Sequence, residues 1–387
     1  MEKHNLFDIV CRKFIVMDQG ASQAETIQIN DQKTLEESQN VYYNNPFPST
    51  RYQGSKNKIK DWIWSILGDK EFESFLEPFA GTSAIGFEAK KRGKKVIVND
   101  FLDFNKEVGK AIIENSGEVL TEDDLDHILT DHSHIDYPSL IQDEFEGKYF
   151  TDEENEWLDR VVTNIRNLDN KYKRAIAFSA LGQACLMKRP FNLFHRANLD
   201  LRTRDVERNF GNKVTWEKPF EETFLNFVKE YNEAVFNNEQ QNKAYGKNVF
   251  ELDETADLVY LDPPYYSKKS GGTDYQYYYH FLDGMINYEN WQEQINRSVK
   301  TKRLKHEKSI WNQEDRLYEA FDKLISKYKE STIALSYNTQ GKPSVEALAQ
   351  IMGMYKDKVT VKSKDHQYAL NRSNGEIEEV LVIGEDK

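Results

Sequence analysis

The sequence predicts a doubly wound, mostly parallel Rossmann-like α/β sheet interrupted by a large helical insertion. Three observations carry that reading. A short apolar strand (Phe72–Leu76), a helix (Thr82–Arg92) and a second apolar strand (Lys94–Asn99) follow one another, and strand–helix–strand in this order implies a parallel pair. From about Val108 to Gln241 the pattern turns helical and highly charged, as in Lys171–Met187. Apolar strands then resume at Asp257–Leu261, Thr332–Ser336 and Glu379–Ile383, so the sheet starts before the insertion and finishes after it.

Each element has a local cause. Ile59, Trp62, Ile63 and Ile66 recur at helical spacing, and Gly68 ends that run. In the next helix Ala84, Ile85 and Ala89 share a side, with Gly93 as its stop. Val96-Ile97-Val98 centres the second strand. Pro46 and Pro48 separate a polar extension, residues 1–45, from the first periodic segment. The Tyr-rich stretch Tyr275–Tyr279, after Gly271-Gly272, reads either as a mobile loop that orders over substrate or as a packed surface loop.

The composition excludes several classes. No run of about 20 apolar residues is present to span a bilayer, and the N-terminus, with Glu2, Lys3, His4 and Asp8, does not read as a secretory signal. Two distant cysteines, Cys11 and Cys185, make no disulfide framework and fit a reducing cytoplasm. His132 and His134 lie near Asp131 and Asp136, but no second ligand cluster accompanies them, so no structural metal is expected. The net charge of −13 opposes a nucleic-acid partner unless cations are gathered on one face.

Two segments carry chemistry. The first, Glu77-Pro78-Phe79-Ala80-Gly81-Thr82, lies in the turn between the first strand and its helix, where open α/β sheets bind ligands. Neither the dinucleotide Gly-x-Gly-x-x-Gly pattern nor a phosphate-loop Lys-Ser/Thr is present there. Asp100, at the end of the second strand, stands where an acid meets ribose hydroxyls. An acidic nucleoside pocket without a phosphate site suits S-adenosylmethionine. The second segment, Asp262-Pro263-Pro264-Tyr265, comes directly after the strand Leu258–Leu261. A carboxylate and the Pro263 carbonyl can accept both hydrogens of an exocyclic aromatic amine, freeing its lone pair for attack on a methyl donor. The prolines fix that carbonyl, and Tyr265 offers an aromatic face to an extruded base.

With Arg51-Tyr52-Gln53-Gly54-Ser55-Lys56 upstream, these segments resemble, in order, the motifs of the Dam-like, alpha-group N6-adenine DNA methyltransferases. Weaker similarity runs through Tyr279–Leu282 and Ala334–Asn338. The resemblance implies a methyltransferase sheet, with Tyr52, Lys56, Asp100 and Asp262 contacting S-adenosylmethionine and the Glu77–Thr82 turn beside it. Ser83 stands where the family often has a second glycine. The implied organisation is residues 46–107 and 249–387 as two parts of a catalytic domain, with 108–248 as a helical target-recognition domain. The implied partner is duplex DNA, with the adenine flipped out; the oligomeric state is left open, a monomer included. Within the insertion Lys188, Arg189, Asn192, His195, Arg196, Arg202 and Arg204, followed by Arg208 and Lys213, interleave cations with aromatics and are expected to contact DNA. Arg297, Lys300, Lys302, Arg303, Lys305 and Lys308 form a second basic cluster that reads equally as a solvated face. An amino-methyltransferase acting on RNA or on a protein glutamine, a catalytically inactive DNA-binding homologue and a restriction endonuclease are the alternatives weighed.

Overall fold

The computed structural model describes residues 42–204, 212–267, 271–365 and 378–386. Expectations that fall on 1–41, and on Arg208, lie outside them, as does the Lys213 side chain. Strands β1 (Ser74–Glu77), β2 (Lys95–Asn99), β3 (Lys243–Tyr245) and β4 (Leu258–Leu261) precede a short antiparallel ribbon, β5 (Tyr266–Ser267) with β6 (Gly271–Gly272). Strands β7 (Thr332–Asn338), β8 (Lys358–Asp365) and β9 (Glu378–Glu385) close the chain. Seven of these form one sheet in the order β3-β2-β1-β4-β7-β9-β8. The first five run parallel, and β9 is antiparallel to both of its neighbours.

Alternation along each strand divides the core into two faces. Phe75, Val96, Val98, Leu258, Tyr260 and Ala334 point to one face, shared with α1 (Lys60–Leu67), α2 (Ala84–Lys91), α3 (Asp103–Gly109) and the inserted helices. Leu76, Ile97, Val259, Leu261, Ile333 and Leu335 point to the other, covered by the helices Leu317–Lys327 and Val345–Gly353. Helices on both faces of a largely parallel sheet make the fold doubly wound, as the sequence predicts. Strand order reverses between β1 and β4, whose residues pair Phe75 with Leu258 and Leu76 with Val259. That switch point is where such sheets open a crevice.

The insertion shares the sheet's core. Its central helix, Lys171–Met187, is buried from Ala175 to Leu186, and Asn170 caps it by accepting from the Tyr172 and Lys173 N–H groups. Gly182 lies so close to Phe104 that an added Cβ would stand 2.2 Å from its ring. The chain rejoins the sheet at Lys243, earlier than the expected boundary at 248. Three residues are too short a run to show a period.

Two other expectations change, and one strand was not expected. Tyr275–Tyr279 is the first turn of a helix, Tyr275–Ile286, which Asp274 caps by accepting from Tyr277 N–H at 3.0 Å. The first strand begins at Ser74, because the Asp257 carboxylate takes the Glu73 and Ser74 N–H groups at its mouth. The edge strand β8 was not foreseen, although Val359 and Val361 alternate with polar residues there.

At the N-terminus of α2 the chain turns through two left-handed residues, Gly81 (φ +51°) and Ser83 (φ +59°). Glycine adopts this region freely, whereas a serine there costs about 1–2 kcal/mol. The Ser83 hydroxyl is also buried without a partner, which adds a desolvation cost. The greater unfolded-state freedom of glycine offsets only part of this. Ser83→Gly is therefore expected to stabilise the protein by about 1 kcal/mol, seen as a higher urea midpoint at unchanged slope. A lower midpoint would show that the hydroxyl is needed where it stands.

Candidate active site

The carboxyl ends of β1, β2 and β4 open into one cleft of about 1500 Å³, lined by all three motif segments. Its floor is set by backbone geometry. Asp100, just after β2, accepts from Gly81 N–H at 2.8 Å and from Leu102 N–H at 2.9 Å, tying the β1 turn to the start of α3. Asn99 donates to the Pro78 and Lys247 carbonyls, each at 3.0 Å, and accepts from Lys247 N–H. Glu77 accepts from Gly86 N–H at 2.8 Å, inside α2. Burial raises the pKa of both Glu77 and Asp100, with these N–H bonds opposing it.

The Arg51–Lys56 segment folds over this floor. Tyr52 stacks on Tyr279 with centroids 4.4 Å apart, lies parallel to Tyr275 at 5.8 Å, and accepts from Asn105 Nδ2 at 2.9 Å. Its ring is 3.5 Å from where a Cβ on Gly81 would be. Gly54, at φ +85°, packs against the Tyr275 hydroxyl, 2.7 Å from where its own Cβ would stand. The segment thus enters the cleft with no side chain at that bend.

Lys56 reaches the opposite wall. Its ammonium donates to Asp262 Oδ1 at 2.8 Å and Oδ2 at 2.6 Å, although 206 residues separate the pair. Burial alone would lower the lysine's pKa; Asp262, with Glu379 behind it, more than offsets this and raises it. Tyr265 donates to Asp262 Oδ1 at 2.9 Å and also lies 3.3 Å from Glu379 Oε2 and 3.3 Å from Ser336 Oγ. Its ring carries the Lys56 ammonium 4.9 Å from its centroid and meets Tyr337 edge-on at 5.1 Å. One face of the expected aromatic platform is therefore covered by a cation. Pro263 is buried and Pro264 partly so.

The motif segments thus converge, while the basic segment divides. The side chains of Lys188 and Arg202, 3% and 5% exposed, converge on Glu154 at 2.8 and 2.7 Å. Arg189, 1% exposed, donates to the carbonyls of Tyr149, Leu193 and Arg196 and to Asn198. These three charges hold the insertion together and cannot reach phosphates, correcting the sequence expectation. A paired cation in a helical interior reads in sequence like one at the surface. Asn192 and Arg196 are exposed, His195 is partly buried, and Arg204 is exposed in an ion pair with Asp200. In the second cluster Arg297 and Lys302 hold Glu144, whereas Lys305 and Lys308 line the cleft. Among the described residues no group of three side chains is placed to hold a metal ion, and no helix is long and apolar enough to cross a membrane.

Sequence reasoning missed Glu379 and Asn105 as neighbours of the site, and read Tyr275 and Tyr279 as part of a loop and not of a helix. The two tyrosines carried a signal, since they are spaced i, i+4 after an Asp that caps helices. Glu379 carried none, standing beside Glu378 at the start of an ordinary strand.

A doubly wound sheet with an acidic nucleoside-type turn on β1 and a Lys-held carboxylate followed by two prolines on β4 defines a methyltransferase that acts on an amine. The chain belongs to the D12 class of N6 adenine-specific DNA methyltransferases, whose family model matches residues 52–339, and it is an enzyme that methylates adenine in DNA. It is 33% identical over 334 residues to the Type II methyltransferase M2.HphI of Haemophilus parahaemolyticus, covering 84% of this chain and 94% of that one. It is also similar to the modification methylase StsI of Streptococcus sanguinis (26%) and the Type II methyltransferase M.FokI of Planomicrobium okeanokoites (24%). Those matches cover 78% of this chain but only 46% of each of those relatives.

Removing one partner of a buried ion pair strands the other, at a cost of about 3–5 kcal/mol. Lys56 and Asp262 are 8% and 15% exposed at their side chains. Lys56→Met is expected to lower the unfolding free energy by an amount in that range, measured by urea denaturation. A loss below about 1 kcal/mol, the scale of a surface pair, would mean that the bond is not formed in solution.

Proposed function

We propose that the cleft binds S-adenosylmethionine between the Gly81 turn and Asp262 and receives an adenine flipped out of duplex DNA. The single observation that carries this reading is the Lys56–Asp262–Tyr265 network at the end of β4, facing the Asp100–Gly81 turn across one cleft. The residues present fit such a donor. Glu77, Asp100 and Asp262 line the cleft, and their oxygens are acceptors suited to ribose hydroxyls. Asn57 Oδ1, buried at the cleft and without a partner, is a spare acceptor. When bound, S-adenosylmethionine supplies an electrophilic methyl group. Tyr52, Lys56, Glu77, Pro78, Phe79, Gly81, Thr82, Asp100 and Asp262 form its surroundings.

An ionised carboxylate has about four acceptor positions. Lys56 takes one on each Asp262 oxygen and Tyr265 a second on Oδ1. Oδ2 keeps one for an amine hydrogen. The Pro263 carbonyl, fixed by two consecutive prolines, takes the other hydrogen. The amine's lone pair then leaves the ring's π-system and points at the methyl group, a gain in positioning that needs rigid acceptors. Extrusion costs the base its stacking and pairing. Asn192, Arg196, Lys305 and Lys308 at the exposed rim supply DNA contacts in compensation, together with His195 and Arg204. The enzyme works in the cytoplasm as the modification arm of a restriction–modification system, a reading its Type II relatives support.

The test is transfer of labelled methyl groups to DNA followed by digestion to nucleosides. The label is expected in N6-methyl-2′-deoxyadenosine with wild type and to fall at least about 100-fold with Asp262→Ala. Equal incorporation by the two proteins would contradict the assignment of Asp262.

A further inference from the structure

Charge in the cleft is sorted by depth. Its carboxylates Glu77, Asp100 and Asp262 are buried or half-buried. The exposed charges that border it are mostly positive: six cations, among them Lys247, Lys308, Arg316 and Lys323, against the carboxylates of Glu307 and Glu319. We propose that Lys247, Lys308 and Lys323, all from the chain after it rejoins the sheet, clamp the phosphates of the duplex whatever its sequence. This rests on the reading that the cleft receives a base from duplex DNA.

Each cation stands on a fixed support. Lys247 follows β3, and Asn99 at the end of β2 holds its backbone, accepting from the Lys247 N–H at 2.9 Å and donating to its carbonyl at 3.0 Å. Lys323 lies on the helix Leu317–Lys327. Arg316 at the start of that helix, then Glu319, Ala320 and Lys323, border the cleft at i, i+3, i+4 and i+7, which is one helical face. The Lys323 ammonium stands 4.7 Å over the Phe250 ring. Phe250 stacks on Trp311 at 6.1 Å, and Trp311 meets Phe79 of the β1 turn edge-on at 5.4 Å. Lys308 comes just before that tryptophan, and its carbonyl accepts from Gln313 Nε2 at 2.9 Å. One aromatic chain therefore ties this basic wall to the turn that borders the donor pocket.

These charges await a counterion. Among the described residues none of the three ammonium groups is in an ion pair, and Glu319 instead faces Arg316 at 3.8 Å. Their crowding is felt at Lys327: burial lowers its pKa, Asp253 opposes this, and the nearby Lys323 and Lys247 add to the lowering. A polyanion relieves such repulsion, and duplex DNA presents one negative charge per about 1.7 Å of its axis. The contrast with the insertion is plain, since Lys188, Arg189 and Arg202 are satisfied inside it. Phosphate contacts set the register of a duplex and carry no sequence information. The basic wall therefore supplies grip, and sequence must be read elsewhere.

The test is binding of labelled duplex to the full chain, followed by fluorescence anisotropy from about 50 to 200 mM salt. One duplex is methylated by the wild type; the other, of equal length, is not. Each phosphate contact contributes about 0.9 to the slope of log affinity against log salt. Lys247→Gln with Lys323→Gln is expected to reduce that slope by about 1.8, and the triple variant with Lys308→Gln by about 2.7, equally on both duplexes. Lys358→Gln is the control. It opens β8, which runs parallel to β7, so it lies at the end of the sheet away from the cleft. Its slope is expected to match that of the wild type. Affinity for S-adenosylmethionine, measured by calorimetry without DNA, is expected to be unchanged throughout. A triple variant whose slope stays within about 0.5 of wild type overturns the clamp. So does a loss confined to the methylated duplex, which would make these side chains readers of sequence, or an equal loss in Lys358→Gln. Weakened donor binding at an unmoved slope would assign the cations to the donor and is equally contrary. A wild type that neither binds nor methylates any duplex would instead bring down the reading of the site on which the clamp rests.

Discussion

Everything at the site depends on a lysine and an aspartate that meet across the cleft, 2.6 Å apart. Lys56 comes from the segment entering α1 and Asp262 from the residue after β4. Their pairing draws the Arg51–Lys56 segment over the open end of the sheet and fixes both oxygens of the carboxylate. A buried ion pair is seldom more stable than apolar residues of the same volume. On the proposed function its use is placement: an acceptor that must meet an amine hydrogen at one angle cannot be left to rotate.

The same economy of charge runs through the molecule. The chain carries 13 more acidic than basic residues, and three of the acids, Glu77, Asp100 and Asp262, gather at one end of the sheet. On the proposed reading their oxygens serve as acceptors for the hydroxyls of a nucleoside, a setting that is poor for phosphates. Several cations of the insertion face inward, where Glu154 and backbone carbonyls satisfy them. Exposed cations nevertheless line the cleft, at Lys58, Lys247, Lys305, Lys308, Arg316 and Lys323.

Legibility in the sequence followed the physics of each feature. Parallel strands buried on both faces read as continuous apolar runs, so Leu258–Leu261 and Lys95–Asn99 were plain. The β1 turn and Asp262-Pro263-Pro264-Tyr265 were plain because few residue types can supply a close backbone approach or a fixed carbonyl. Three-residue β3 shows no period, and the helix from Tyr275 hid behind two glycines and a run of tyrosines that suggested a loop. Long-range pairing was the least readable: nothing local in Lys188 or Arg202 announces Glu154, and nothing near Glu379 announces Tyr265. The left-handed Ser83 shows the converse, since a departure from an expected glycine kept the backbone shape and accepted its strain.

The most direct measurement is the position of the adenine N6 in a structure of the enzyme with DNA and the demethylated donor product. The account predicts a flipped base with N6 about 3 Å from both an Asp262 carboxylate oxygen and the Pro263 carbonyl, and with Lys56 still on Asp262. An amine bonded elsewhere, or an Asp262 turned onto the donor's ribose, would contradict it.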